Sequence, residues 1–260
     1  MPDGAGFKAS QSRRDVPDAM EERLIVALDN RTVDSAFETV KKLDGMVSFF
    51  KIGFQLLFAK GVDGLISYLH QQDKKLFLDA KMFDVPETIR QAVKFSIERG
   101  ATFLTVHGDE KIMRAAVEAK GNSKTKIFAI TVLTSLDDEA LRKMGYLLPA
   151  KELVKLRAEK AIECQCDGII ASADDDPDAI RTLVNGPHLL IATPGIRPLG
   201  MPHQDQKRVA TPRQAIASGA DYLVVGRPVV EAEDPRQAAH AIIEEMKSGN
   251  EDRERGRVIP

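Results

Sequence analysis

The chain has 260 residues, 43% of them hydrophobic and 29% charged, enough for one large globular domain or two small ones. Its 37 lysines and arginines against 39 aspartates and glutamates give a formal charge of −2, so no global field recruits nucleic acid or an anionic membrane. No apolar run reaches bilayer-spanning length, and the first twenty residues lack the apolar stretch of a secretory leader, so the expected location is the cytoplasm.

Residues 1–20 are polar and read as a disordered extension ahead of a domain at 21–247. Short apolar runs then recur at 24–28 (LIVAL), 47–52 (VSFFKI), 75–80 (KLFLDA), 102–107 (TFLTVH), 127–133 (IFAITVL), 168–171 (GIIA), 189–193 (LLIAT) and 222–226 (YLVVG). Most are continuously apolar, as expected of parallel strands covered on both faces. Helix signals lie between them. Pro86 opens a segment whose Ile89, Ala92, Val93 and Ile97 share one helical face, and Gly100 stops it. Asp176-Pro177, Thr211-Pro212 and Asp234-Pro235 each place a capping side chain before a proline suited to the first helical position. Thr211 with Gln214, and Asp234 with Gln237, also have capping-box spacing. The charged stretch 248–260 (SGNEDRERGRVIP) reads as a disordered tail.

Eight β/α repeats predict an α/β fold, a single (β/α)8 TIM barrel. An open doubly wound sheet is the alternative, but no G-x-G-x-x-G follows the first run. Cys164 and Cys166 form C-x-C, which lacks the spacing of a redox pair and has no histidine beside it; buried packing under reducing conditions is the expected role.

In such a barrel the reactive groups gather at the C-terminal ends of the strands. There the first three runs deliver Asp29, Lys51, Asp79 and Lys81, with Asp84 just beyond. Alternating lysines and aspartates would keep each other ionised; singly, each also reads as an ordinary rim salt bridge. Asp79 and Lys81, two apart in a strand, are expected on one side. Asp84 has a second explanation as a cap for the helix opened by Pro86, and Thr88 as an ordinary exposed helical residue. The fifth run ends in Thr134-Ser135. The seventh leads to Gly195 and Arg197 and the eighth to Gly226 and Arg227. Glycine lets backbone amides approach, arginine adds a fork, and the last two loops are the usual phosphate site of this architecture. The polar stretch 198–210 is long for a simple connection and reads either as a lid over a phosphate or as a surface insertion.

Taken together, Asp79-x-Lys81-x-x-Asp84, Lys51-Ile52-Gly53, Thr193-Pro194-Gly195-Ile196-Arg197, Asp205-Gln206 and Val225-Gly226-Arg227 resemble, in order, the orotidine 5′-monophosphate decarboxylases. D-x-K-x-x-D alone is shared with sugar-phosphate decarboxylases and aldolases of the same superfamily; the full set is specific. The resemblance implies conversion of orotidylate to uridylate in pyrimidine biosynthesis, without a cofactor or metal, by a homodimer with shared active sites. Lys51, Asp79, Lys81 and Asp84 match the catalytic tetrad, and Asp84 with Thr88 would cross into the neighbouring subunit's site. Asp29 and Lys51 match ribose contacts and Thr134 a pyrimidine contact. Arg197, Gln206, Gly226 and Arg227 match the phosphate and lid contacts. Phe83 stands where the family usually has histidine and Glu87 where it has asparagine. The glycine pair common after His107 is absent, so His107 is expected to be a hydrogen-bonded structural residue.

The implied chemistry leaves a carbanion at carbon 6 of the pyrimidine with no carbonyl placed to delocalise it, so stabilisation has to be electrostatic. Lys81 is expected to stabilise and protonate that carbon. Asp79 would lie near the departing carboxylate, with Lys51 and Asp84 holding the pair. A Mg²⁺-dependent aldolase or decarboxylase of the superfamily usually carries glutamate where this chain has Lys51. A barrel that only binds nucleotides would keep the arginines and lose the tetrad.

Overall fold

In the computed structural model, which describes residues 15–201 and 208–256, eight short strands pair in chain order. They are β1 (Leu24–Ala27), β2 (Phe49–Gly53), β3 (Lys75–Met82), β4 (Phe103–His107), β5 (Lys126–Ile130), β6 (Gly168–Ile170), β7 (Leu190–Thr193) and β8 (Tyr222–Val225). Every pairing is parallel, and β8 pairs with β1 to close the barrel. The open-sheet alternative is thereby excluded, and each apolar run contains or overlaps its strand.

Helices return the chain between strands. α1 (Val33–Lys42) follows β1; α2 (Phe54–Leu57) and α3 (Val62–Gln71) follow β2; α4 (Pro86–Glu98) follows β3; α5 (Glu110–Lys120) follows β4. α6 (Asp138–Lys143) and α7 (Ala150–Glu163) follow β5, α8 (Pro177–Leu183) follows β6 and α9 (Pro212–Ala217) follows β7. α10 (Arg227–Val230) and α11 (Pro235–Glu254) complete the chain's described α-helices. The starts follow local chemistry. Pro86 occupies the first turn of α4, Asp176 accepts from the Ala179 amide to cap α8, and Thr211 with Gln214 forms a full capping box on α9. On α11 only the Asp234 half is made, accepting from the Arg236 and Gln237 amides.

The period of two along each strand divides the interior into two cores. Outward residues such as Phe50, Ile52, Leu78 and Leu104 pack beneath the helices. Inward residues Phe49, Phe77, Phe103, Phe128 and Tyr222 fill the barrel with edge-to-face and tilted rings; Phe49–Phe103 centroids lie 4.8 Å apart and Phe103–Tyr222 5.0 Å. Burying each ring is worth about 1.5–3 kcal/mol, so this plug is a rigid floor. One inward step beyond it come Lys51 on β2, Asp79 on β3 and Thr105 on β4. The alternation therefore carries three neighbouring strands from an aromatic layer straight into a polar one.

Both terminal boundaries expected from composition need correction. Ahead of residue 21, Asp15 pairs with Lys126 at 2.5 Å, Val16 packs against the plug, and Met20 is buried in a 3₁₀ turn. The tail set at 248–260 is helical through Glu254. Asp252 is buried and accepts from Arg213 Nε at 2.6 Å, and a side chain at Gly249 would collide with the Arg213 carbonyl. Charge density suggested disorder there, but long-range partners on α9 order the helix end. Residues 1–14 and 257–260 lie outside the described residues.

Candidate active site

At the mouth above the plug, four of the expected charges form one chain. Asp79 Oδ2 accepts from Lys81 Nζ at 2.7 Å and lies 3.1 Å from Lys51 Nζ. Lys51 Nζ in turn lies 3.6 Å from Asp29 Oδ1. Lys51 and Asp79 are both buried, so neither charge is tolerable alone. Burial by itself would raise the Asp79 carboxyl, but Lys51, Lys81 and the Thr105 hydroxyl outweigh it and hold the group at about 2. For Lys51, burial pulls the ammonium down, and the carboxylates of Asp79 and Asp29 more than reverse that, leaving it raised. Both are ionised across the neutral range.

Asp79 and Lys81 do meet at one mouth, though not through regular alternation. Leu78 pairs with Leu104 and Met82 with Val106, so three residues of β3 oppose one of β4. Within this bulge Lys81 has φ of +44°, an uncommon conformation for a residue with a side chain. Its amide donates to Thr105 Oγ1 at 2.9 Å, and the same hydroxyl donates to Asp79 Oδ1 at 2.9 Å.

Beside this chain lies a cavity of ≈ 230 Å³ lined by Asp29, Lys51, Asp79 and Lys81 together with Thr134, Ser135, Arg197, Gly226 and Arg227. A Cβ on Gly226 would come within 2.6 Å of Asp29 Oδ2, so glycine is what lets β8 and the Asp29 carboxylate share that edge. Arg197 is buried, with its guanidinium donating to the Ile196 carbonyl at 2.8 Å. The stems of the 198–210 connection are joined: the Arg197 amide donates to the Ala210 carbonyl at 2.9 Å. Gln206 and Asp205 lie outside the described residues. Just after them, Arg208 pairs with Asp175 at 2.6 Å and donates to the Val132 carbonyl at 3.0 Å, while its amide donates to the Thr134 carbonyl at 3.3 Å. The loop bearing Thr134 is thereby tied to the segment after β6.

The remaining expected residues stand apart. Asp84 is exposed, forms no ion pair among the described residues, and accepts from the Val85 amide at 2.6 Å. It does not cap α4, whose N-cap is Val85. Thr88 is exposed on the first turns of α4. Phe83 is exposed and its ring lies 4.5 Å from that of His107. His107 Nε2 faces Arg157 at 3.4 Å, while its buried Nδ1 has no partner among the described residues. Burial, then Arg157, lower its proton affinity. It is less completely hydrogen-bonded than expected. Cys164 and Cys166 are buried free thiols, both pushed up by burial.

Sequence reasoning missed Thr105, Arg208 and Asp175. Alternation from Phe103 could have flagged Thr105 as the next inward residue of β4; the Arg208–Asp175 pair spans 33 residues and left no local signal.

A barrel mouth with paired lysines and aspartates facing a glycine–arginine edge is the layout of an enzyme for a small anionic substrate. The Orotidine 5′-phosphate decarboxylase / HUMPS family model matches residues 22–242, and the chain belongs to that family. Orotidine 5′-phosphate decarboxylase of Rhodopseudomonas palustris (strain HaA2) is 48% identical over 228 residues, 88% of this chain and 96% of the relative. That of Bradyrhizobium diazoefficiens is 46% identical over 228 residues, 88% and 95% of the two chains. The crystal structure of orotidine 5′-phosphate decarboxylase from Lactobacillus acidophilus superposes with a TM-score of 0.74 at 34% identity, covering 86% of this chain and 99% of that one.

Proposed function

We propose that the protein decarboxylates orotidine 5′-phosphate to uridine 5′-phosphate in pyrimidine biosynthesis, as a cofactor-independent, cytoplasmic homodimer. The observation that carries this reading is the Asp79 carboxylate held ionised between Lys51 and Lys81 at the edge of the cavity. The bond between carbon 6 and the carboxylate breaks, CO₂ leaves, and the electron pair stays on carbon 6. Lys81 Nζ donates a proton to that carbon and regains one from water. Asp79 lies near the departing carboxylate, and Lys51 keeps Asp79 charged.

Magnitudes divide the work. Two like charges about 3 Å apart at an effective dielectric near 20 repel by roughly 5 kcal/mol. Very slow reactions need about 20 kcal/mol. Repulsion by Asp79 falls short, so the larger part comes from the Lys81 ammonium stabilising the carbanion in a dry, fixed site. Arg197, Arg227, Gly226 and Gln206 bind the phosphate, Asp29 and Lys51 the ribose, and Thr134 the pyrimidine. Remote phosphate binding then assists the reacting carbon.

Asp84 and Thr88 serve the partner subunit's site. In support, Asp84 has no ion pair within the described residues of its own chain, and it sits between exposed Phe83 and Val85. The metal-dependent alternative is disfavoured by Lys51, whose ammonium already occupies the space between Asp29 and Asp79. The test is the absorbance change of orotidine 5′-phosphate with purified protein after exhaustive EDTA treatment. Turnover without added metal is expected; turnover that requires Mg²⁺ would refute the reading.

A further inference from the structure

We propose that Thr105 is a positioning residue for this reaction, its one hydroxyl clamping the Asp79 carboxylate and the bulged backbone of Lys81 into a fixed relation. The inference rests on the proposed roles of Asp79 and Lys81. A hydroxyl has one proton to give and two lone pairs. Here the proton goes to Asp79 Oδ1 and a lone pair takes the Lys81 amide, both at 2.9 Å. Thr105 is completely buried, so no bulk water competes for either bond.

The clamp sits where the main-chain ladder cannot do its work. Thr105 is the single β4 residue opposite Asp79, Ala80 and Lys81, and the register of β3 on β4 shifts across it. A left-handed lysine persists only where its surroundings over-determine it. The hydroxyl supplies such a restraint at the root of the Lys81 side chain, and it also fixes the carboxylate from the side opposite the lysines. Among the described residues, the charged and titratable groups around Asp79 are Lys51 from β2, Lys81 from its own strand, and Asp29 beyond Lys51. Thr105 is the neutral partner from β4. The β-branch restricts its rotamer, which keeps the two bonds in register.

Thr105→Val keeps the shape and removes the hydroxyl; Thr105→Ser keeps the hydroxyl. Thr105→Cys, a small replacement with a weak donor, serves if the valine protein does not fold. The serine variant should stay close to the parent. The valine or cysteine variant should lose kcat by roughly ten- to a hundredfold, the scale for removing an outer partner of a reactive group, with KM changed much less. The Asp79 carboxyl, followed by carbon-13 NMR, should titrate at higher pH in valine or cysteine and not in serine. Parent-like kcat with an unmoved Asp79 titration in the variant lacking the hydroxyl would overturn the clamp. A parent that does not turn over orotidine 5′-phosphate would sink the proposed reaction instead, and the titration comparison would still decide the clamp.

Discussion

Replacing Asp79 by asparagine tests whether the charge chain is held by mutual neutralisation. Lys51 would lose a carboxylate 3.1 Å away and keep only Asp29 at 3.6 Å. At an effective dielectric of about 20 the lost attraction is about 5 kcal/mol. The lysine can also escape by shedding its proton, which at pH 7 costs about 5 kcal/mol from an ordinary lysine value. Asp29 offsets part of either cost. Asp79→Asn should therefore lose about 3–4 kcal/mol of stability, the range for breaking a buried pair from one side. Lys51→Met should lose less, because Asp79 keeps Lys81 at 2.7 Å and Thr105 at 2.9 Å. The double variant Asp79→Asn/Lys51→Met removes both buried charges and should recover at least about 2 kcal/mol relative to Asp79→Asn. Urea unfolding at fixed protein concentration reads all four corners of the cycle, provided the slopes agree. A double variant no more stable than Asp79→Asn would refute the reasoning.

The same cycle has an acid limb. Asp79 is depressed from 3.8 to about 2, so its contribution is present above its unfolded value and is lost as pH falls through about 2. The parent should lose about 2 kcal/mol of its advantage over Asp79→Asn between pH 5 and 2. An unchanged stability gap over that window would contradict the assignment.

Three further outcomes concern the reaction. Lys81→Ala should abolish turnover while the barrel still folds, since Lys81 lies at the mouth and not in either core; substantial residual decarboxylation would remove it from its role. Arg227→Ala should lower kcat/KM severely, and orotidine without its phosphate should be a very poor substrate; nucleoside turnover near that of the nucleotide would defeat the phosphate argument. Mixing inactive Lys81→Ala and Asp84→Ala dimers, with subunit exchange verified, should restore about a quarter of parental activity, because half the dimers are mixed and each then holds one intact site. No recovery would place Asp84 in its own chain's site.

The barrel was legible because parallel strands covered on both faces must be continuously apolar, and each such run ended at the mouth. Lys51 and Asp79 followed from simple alternation above Phe49 and Phe77. Lys81 reached the expected place for a reason no single strand contains: its position depends on a register shift against β4, a pairing between residues 26 apart such as Phe77 and Phe103. Thr105 was open to the same alternation above Phe103, but its bond to the Lys81 amide was hidden by that register shift. The helix end at 248–254 was misread because its order comes from Arg213, 39 residues from Asp252, while its own composition is charged. Asp84 was legible as a motif position, but the described residues of its own chain give it no companion in the site.

The exposure of the four charges orders their work. Side chains of Lys51 and Asp79 are each 10% exposed, Lys81 34% and Asp29 45%. The aromatic floor lies beneath the buried pair, and the cavity opens beside all four charges. A substrate seated there would take away more water from Lys81 than from the pair beneath it. Its attraction to an anion about 3 Å away would grow from roughly 1 kcal/mol in bulk water to roughly 5 at a dielectric near 20. The buried pair changes least on binding, because it is already dry. That division assigns fixed charge to Lys51 and Asp79 and responsive charge to Lys81. A backbone locked at its root and a side chain open at its tip would suit the proposed turn of the ammonium from Asp79 to carbon 6 without the strand moving.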